Sequence, residues 1–138
     1  MMFRMIQIPQ MKAIKDSSGD MYQFAELLRR YPDKDTRPCA ILQGDEHVYD
    51  ISLLMGADGI ITGGGTAFVE ILVKLYKAAA LDNDRQMAFI LQQQFRHAMD
   101  DMLGPDLLID WMYAIKTKLK EIGVINNNVI FPFLKRKR

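Results

Sequence analysis

The sequence predicts an α/β fold in which parallel strands alternate with helices and a purely helical segment follows. Three short apolar runs each end in a polar or glycine-bearing turn, and each turn leads into apolar residues at helical spacing. The runs are continuously apolar rather than alternating, which is typical of a parallel sheet that is covered on both faces. Beyond residue 81 the chain shows helical periodicity alone.

Strands and helices alternate through the first part of the chain. The predicted strands are MKAIK, CAILQ and DGIIT, at residues 11–15, 39–43 and 58–62. The first helix begins near Asp20, because Gln23 stands at capping-box spacing from it, and Pro32 ends the helix. The second helix covers residues 47–55 and the third begins near Ala67. Crossovers of this kind are right-handed, so the strands are expected to lie side by side.

The chain from residue 82 to residue 122 is predicted to be helical, and the tail after it is expected to be irregular. One helix is expected over residues 82–103 and a last one over residues 109–122, which Gly123 ends. Three βα units are too few to close a barrel, which takes eight. An open sheet leaves both of its edges bare, and soluble proteins normally cover such edges. The chain is therefore expected to pair with another chain or to lack strands.

Composition excludes several classes of protein. The net charge of +1 at pH 7 gives no overall attraction to nucleic acid, and no apolar run reaches the length of a membrane span. The basic run at residues 135–138 is interpreted as a solvated terminus. Cys39 is the one cysteine, so an internal disulfide is impossible, which fits a reducing cytoplasm. We expect a cytoplasmic protein without a cofactor.

A lysine ends the first predicted strand, in the stretch AIKDSSGD. Functional groups in βα folds collect at the C-terminal ends of the strands, and Lys15 holds such a position. Apolar walls around Lys15 would lower the pKa of its amine, because burial disfavours the charged form. A neutral amine attacks ketones and forms a Schiff base, whose iminium withdraws electrons from the neighbouring carbon. The alternative is a lysine whose stem lies along the strand end while its ammonium reaches water.

The turns after the second and third strands carry the other candidate residues. Asp45 and Glu46 could orient a polyhydroxy substrate, or Asp45 could simply cap the next helix. The glycines at residues 63–65 could bind an anion through their amides, or could form a tight turn. They are not a P-loop, because no Lys-Ser or Lys-Thr pair follows them. His47 does not predict a metal site, because neighbouring residues cannot all point one way.

Together, IKDSSGD, LQGDE and GADGIITGGGTAF are more specific than any one turn. In this order they resemble the C-terminal half of the dihydrodipicolinate synthase and N-acetylneuraminate lyase family, nearest its branch of 2-keto-3-deoxy sugar acid aldolases. The resemblance covers residues 8–133. It implies part of a TIM (β/α)8 barrel, whose sixth, seventh and eighth strands correspond to the three predicted ones, followed by C-terminal helices. Residues 1–80 would then form the partial barrel and residues 81–138 the helical extension, which in the family commonly takes part in oligomer contacts.

The same resemblance implies a function. The lysine on the family's sixth strand forms a Schiff base with pyruvate or another 2-oxo acid, and that lysine matches Lys15. The chain is thus expected to be a class I lyase or aldolase that cleaves or forms carbon–carbon bonds without a metal. In the lyase branch, the turn after the seventh strand and the loop after the eighth shape the distal substrate pocket. The matching positions are Gly44, Asp45, Glu46, Thr62 and Gly63.

The chain departs from the family pattern in what it omits. The first five strands have no counterpart here, and neither do the hydroxyl residues that bind the substrate carboxylate or the tyrosine that relays the proton. Thr66 stands where the family has asparagine, and none of the five tyrosines lies in a matching motif. The last family helix also has no counterpart. We therefore expect an N-terminally truncated chain.

Three functional hypotheses remain open. The chain is a truncated or split aldolase, which works with a complementary N-terminal half or as a homo-oligomer that pairs two sets of strands. Alternatively, it is a non-catalytic remnant that folds by oligomerising. The third hypothesis is a binding protein that uses the glycine-rich turn for an anion without chemistry. Covalent trapping of a Schiff base separates the first hypothesis from the other two, and none of them predicts a nucleic-acid or membrane partner.

Overall fold

A computed structural model of the chain describes residues 2–104 and 111–127. The strands of the described residues form a parallel sheet in chain order, which confirms the predicted α/β class. The start of the predicted last helix at residue 109 and the basic run at residues 135–138 lie outside the described residues. The elements are α1 (Met2–Met5), β1 (Ala13–Asp16), α2 (Met21–Arg30), β2 (Ala40–Gln43), α3 (Tyr49–Leu54), β3 (Gly59–Ile60), α4 (Val69–Tyr76), α5 (Arg85–Leu103) and α6 (Trp111–Glu121).

The sheet buries one face and leaves the other open. Ile14 and Ile41 are register partners, and both are buried in one hydrophobic cluster with α2. Lys15 and its partner Leu42 point to the opposite face, because successive side chains on a strand alternate. On that face Lys15 is exposed and Leu42 is half-buried. The expectation of a sheet covered on both faces is therefore wrong for the described residues.

Two hydrophobic clusters hold the helices against the sheet and against one another. The first lies between α2 and the sheet and comprises Ile6, Ile14, Phe24, Leu27, Leu28, Cys39, Ile41 and Ala57. The second joins α3, α4 and α5, and in it the rings of Tyr49 and Phe95 stack with their centroids 6.1 Å apart. The predicted division between residues 80 and 81 stays a prediction. The second cluster draws on residues from both sides of it.

Local hydrogen bonds explain where the helices begin. Asp20 caps α2 as predicted, since its carboxylate accepts from the Gln23 amide at 3.0 Å. Helix α3 begins later than predicted, because the His47 amide donates to the Asp45 carboxylate at 3.0 Å and forms a turn instead. Helix α5 begins at residue 85 rather than 82, because a π-helical turn precedes it and Asp84 is its cap. None of the helices within the described ranges is long and apolar enough to cross a membrane.

A buried ion pair ties the start of β2 to the start of β3. The Arg37 side chain is 2% exposed, and its Nη1 donates to Asp58 Oδ2 at 2.9 Å. The same oxygen accepts from the Ile41 amide at 2.6 Å, and Arg37 Nη2 donates to the Gly56 carbonyl at 3.1 Å. Because the Asp58 side chain accepts from a strand amide of β2, β3 begins at Gly59 rather than at the predicted residue 58. It ends at Ile60 rather than at the predicted residue 62.

The variant Asp58→Ala is expected to lower the free energy of unfolding by about 3–5 kcal/mol, because it leaves the Arg37 guanidinium buried without its carboxylate. Glu26→Ala is the matched control, since the Arg29–Glu26 pair is largely exposed and an exposed pair contributes little. Urea unfolding followed by circular dichroism measures both variants. Equal unfolding midpoints for Asp58→Ala and Glu26→Ala would contradict the structural role of the buried pair.

Burial raises the pKa of Asp50, in the first turn of α3, although the amides of Ile51 and Asp50 act in the opposite direction. The folded chain then keeps this proton at a pH where the unfolded chain has released it. Stability is therefore expected to fall as pH rises from the ordinary value of 3.8 through the raised folded value. Asp50→Asn should remove that fall and raise the thermal midpoint at neutral pH. A midpoint difference that is the same at acidic and neutral pH would argue against it.

Candidate active site

The turns after the three strands meet at one edge of the sheet. The Gly44 amide donates to the Asp16 carbonyl at 2.6 Å, which continues the pairing of β1 with β2 into the second turn. The Ile61 amide donates to the Gln43 carbonyl at 2.9 Å, which brings the glycine loop of residues 62–66 to the same edge. All the predicted site residues therefore lie at the C-terminal ends of the strands, where βα folds place functional groups.

Lys15 lies over Gly44. A Cβ placed on Gly44 would stand 2.3 Å from Lys15 Cε, 2.1 Å from Ser17 Oγ and 2.9 Å from the Asp16 carbonyl oxygen. Glycine at this position therefore leaves room for the lysine stem. Lys15 is exposed on the open face of the sheet, so the apolar walls considered above are not found among the described residues. The buried residue at this strand end is Asp16, whose Oδ1 accepts from the Ser18 amide at 2.9 Å.

Gln43 shapes the second turn; the sequence placed it at a strand end but gave it no role. Its Oε1 accepts from the amides of Gly44 and Asp45, each at 2.8 Å. Its Nε2 donates to Ser52 Oγ at 2.9 Å, and the side chain is buried. A glutamine at the end of an apolar strand is the signal that could have found it, because a buried amide needs partners on both sides.

Glu46 links the second turn to the third. Its Oε1 accepts from the Thr62 hydroxyl and from the Gly64 amide, the latter at 2.7 Å. Thr62 Oγ1 in turn accepts from the Gly65 amide at 3.1 Å. The glycine loop is thus wrapped around a carboxylate of the chain itself. The amides of Gly64 and Gly65, which the sequence suggested for an external anion, are already bonded within the chain.

Asp45 and Gly63 lie beside the hydrogen-bonded group formed by Glu46, Thr62 and Gly64. Asp45 Oδ2 is 3.7 Å from the position that a Cβ on Gly19 would take, so Asp45 borders the first turn. Gly63 is exposed, and a Cβ there would come within 2.7 Å of the Trp111 ring in α6. His47 Nδ1 is 3.7 Å from Asp45 Oδ1. Residues 2–104 and 111–127 contain no group of three His, Cys, Asp or Glu side chains that could hold a metal ion.

Helix α5 also reaches the site, through a residue that the sequence reasoning missed. Gln92 is 2% exposed; its Nε2 donates to the Glu46 carbonyl at 2.9 Å and its Oε1 accepts from the Asp50 amide at 3.3 Å. The signal for it is an amide within the apolar stripe of α5. The buried apolar residues of that stripe are Ala88, Leu91, Phe95 and Met99.

Tyr49 lies beneath this cluster and does not face the open side of the sheet. It is fully buried, and among the described residues its hydroxyl has no hydrogen-bond partner. Burial raises the pKa of Tyr49, while the nearby Thr62 hydroxyl acts in the opposite direction. A neutral phenol enclosed in the core does not exchange protons with a substrate at Lys15. The structure therefore offers no reason to give Tyr49 the proton-relay role.

Comparison with known proteins finds one family over nearly the whole chain. The model of the dihydrodipicolinate synthetase family matches residues 1–137. The chain is 26% identical over 129 residues to 4-hydroxy-tetrahydrodipicolinate synthase of Nitrosomonas eutropha, with 94% of this chain and 41% of that protein covered. It is 27% identical over 129 residues to N-acetylneuraminate lyase 2 of Escherichia coli O6:H1, with 91% and 38% covered.

A solved structure supports the same assignment. Dihydrodipicolinate synthase from Bacteroides thetaiotaomicron matches with a TM-score of 0.78 and 28% identity, covering 99% of this chain and 45% of that one. That protein is a TIM barrel, and the three-stranded parallel sheet described above is consistent with part of one. The chain spans about two fifths of the length of the curated relatives it matches. As its three turn motifs predicted, the chain belongs to the dihydrodipicolinate synthetase family.

Proposed function

We propose that this chain carries the Schiff-base lysine of a class I lyase or aldolase that acts on pyruvate or another 2-oxo acid. The observation that carries the proposal is the placement of Lys15 at the end of β1, on the open face of the sheet, with its stem over Gly44. The relatives support it, because they are a synthase and a lyase. In this proposal β1, β2 and β3 are the sixth, seventh and eighth strands of the barrel.

The proposed reaction follows from the chemistry of a primary amine. Lys15 Nζ attacks the ketone carbon of the 2-oxo acid, and loss of water gives an iminium. In cleavage, the bond between carbons 3 and 4 breaks, its electron pair moves into an enamine, and carbon 4 leaves as an aldehyde once its hydroxyl proton has gone to a base. Protonation of the enamine and hydrolysis of the iminium release pyruvate and restore the amine. Condensation is the reverse sequence.

The second and third turns are proposed to bind the distal part of the substrate. Glu46 uses Oε1 for the Thr62 hydroxyl and the Gly64 amide, so its Oε2 is the oxygen that would accept from a substrate hydroxyl. Asp45, beside the first turn, and the exposed Gly63 complete this wall with Gly44. The substrate class that fits such a wall is a 2-oxo acid with a hydroxylated tail.

The proposed function needs further groups packed over the open face at Lys15. By the family resemblance, the proton-relay tyrosine and the carboxylate-binding hydroxyls come from strands that have no counterpart in this sequence. We propose a complementary N-terminal half as the partner, with a second copy of this chain as the alternative, in a reducing cytoplasm. Support comes from the open face at Lys15 and from an apolar groove along β3. In that groove Ile61, Val69 and Val73 are 46%, 58% and 47% exposed, and bare sheet edges of this kind are normally covered.

Incubation with pyruvate and borohydride is expected to add one reduced pyruvate to the chain at Lys15, as measured by intact mass and peptide mapping. Lys15→Ala should abolish the adduct, whereas Lys12→Ala, which removes another exposed lysine of the same segment, should leave it unchanged. The trap is run on the chain alone and together with the N-terminal half of a family member. If the chain is shown to be folded and neither mixture gives a Lys15-dependent adduct, the aldolase proposal is contradicted. The non-catalytic remnant is then the hypothesis that remains.

Gly44→Ala is expected to slow formation of the adduct by about 10²-fold while Lys15 is retained, because the new methyl group displaces the lysine stem. Gly59→Ala is the matched control. A Cβ at Gly59 meets only the Leu42 Cδ2 methyl, at 3.3 Å, which can give way. The time course of trapping compares the two variants. Equal rates would mean that the close approach of Lys15 to Gly44 does not guide the amine.

A further inference from the structure

Gln92 bridges two buried backbone groups that belong to different parts of the site. The Asp50 amide lies in the first turn of α3, where a helix offers its own amides no acceptor, and Gln92 Oε1 supplies one at 3.3 Å. The Glu46 carbonyl belongs to the second turn and accepts from Gln92 Nε2 at 2.9 Å. One rigid amide group therefore sets the spacing between the turn that carries Glu46 and the helix that follows it.

The same face of α5 also supports the third turn. A Cβ placed on Gly64 would come within 2.6 Å of Met99 Sδ and 3.1 Å of Phe95 Cζ. Gln92 and Met99 are seven residues apart, which is about 10.5 Å along a helix at 1.5 Å per residue. Helix α5 thus contacts the backbone of Glu46 at one point and the loop that the Glu46 carboxylate binds at another.

Packing alone does not explain a glutamine at this position. The buried neighbours of Gln92 on α5 are apolar, and a methionine or leucine would satisfy an apolar stripe. A buried amide is tolerated only when its donor and its acceptor are both paired, as they are here. The polar side chain therefore has a geometric task, which is to fix where the Glu46 backbone lies.

We propose that Gln92 is a positioning residue of the site. By binding the Glu46 carbonyl from α5, it sets the place of the Glu46 carboxylate and, through that carboxylate, of Thr62 and Gly64. The consequence for catalysis rests on the proposed function, in which Glu46 binds the distal part of the substrate. Gln92 does not touch the reacting atoms, and Lys15 lies on β1.

Amide hydrogen exchange, followed by NMR on the full-length chain without substrate, tests the positioning role directly. In Gln92→Met, which keeps a long unbranched side chain but loses both hydrogen bonds, exchange at Gly64 and Asp50 is expected to be about fivefold to tenfold faster. The Ile41 amide, bonded to Asp58 at the other end of the sheet, should keep its native rate. Gln93→Met is the matched control, because Gln93 is the exposed neighbour on the same helix and should change none of these rates.

Two results would overturn the proposal. One is an unchanged rate at Gly64 in Gln92→Met. The other is an equal acceleration at Gly64 and Ile41, which indicates a general loss of stability rather than a local one. If Gln92→Met does not fold, Gln92→Asn, which keeps the amide but shortens the side chain by one methylene, takes its place with the same expected rates and the same contradicting results.

A trapping experiment separates this proposal from the proposed function. Borohydride trapping at Lys15 is compared for pyruvate and for a 2-keto-3-deoxy sugar acid, in the native chain and in Gln92→Met. The ratio of sugar-acid adduct to pyruvate adduct is expected to fall about tenfold in the variant, with the pyruvate rate unchanged. An unchanged ratio would contradict the catalytic consequence. If the native chain traps neither compound, alone or together with the N-terminal half of a family member, the proposed function fails, and the exchange rate at Gly64 still decides the positioning role.

Discussion

The in-register parallel pairing of β1 with β2 is the constraint on which the site depends. It places Lys15 beside Leu42 and continues into the turn at Gly44, so that the lysine stem crosses the one residue type that leaves it room. A slip of one residue in β1 would turn Lys15 onto the buried face and Asp16 onto the open one, because the side-chain period of a strand is two. The register is stabilised on the buried face by the cluster that contains Ile14 and Ile41.

The glycine loop shows how the chain organises its own polar groups. Backbone amides that follow a strand in a βα fold are often free to bind an anion, and the sequence invites that interpretation. Here the Glu46 carboxylate accepts hydrogen bonds from the Gly64 amide and the Thr62 hydroxyl. The loop therefore binds a carboxylate of its own chain. This arrangement does not favour the hypothesis of a simple anion-binding protein. It makes the loop a shaped wall whose position depends on Glu46.

The open face of the sheet is the feature that the described residues leave uncovered. Lys15 is exposed where a complete barrel would enclose it, and the relatives are more than twice as long as the part that matches. In the proposed function, the electrostatic surroundings that activate the Lys15 amine come from groups packed over that face. The C-terminal helices, in contrast, already contact the site through Gln92 and Trp111. In the proposed function they support the wall that binds the distal part of the substrate, and not the Lys15 amine.

The sequence by itself determined the order of strands and helices, the cap at Asp20, the lysine at a strand end and the family, because periodicity, capping and turn motifs are local properties of the chain. Some element starts differed from the prediction by a residue or more where a side chain replaced a backbone partner, as Asp58 does at the start of β3. Only the tertiary structure decided that Lys15 stands on an open face and that Glu46 closes the glycine loop. It also revealed the contact between Gln92 and the Glu46 carbonyl, which are 46 residues apart. Local periodicity does not predict such contacts, because the two residues are far apart in the sequence. They can be recognised only in the folded chain, where the fold has brought them together.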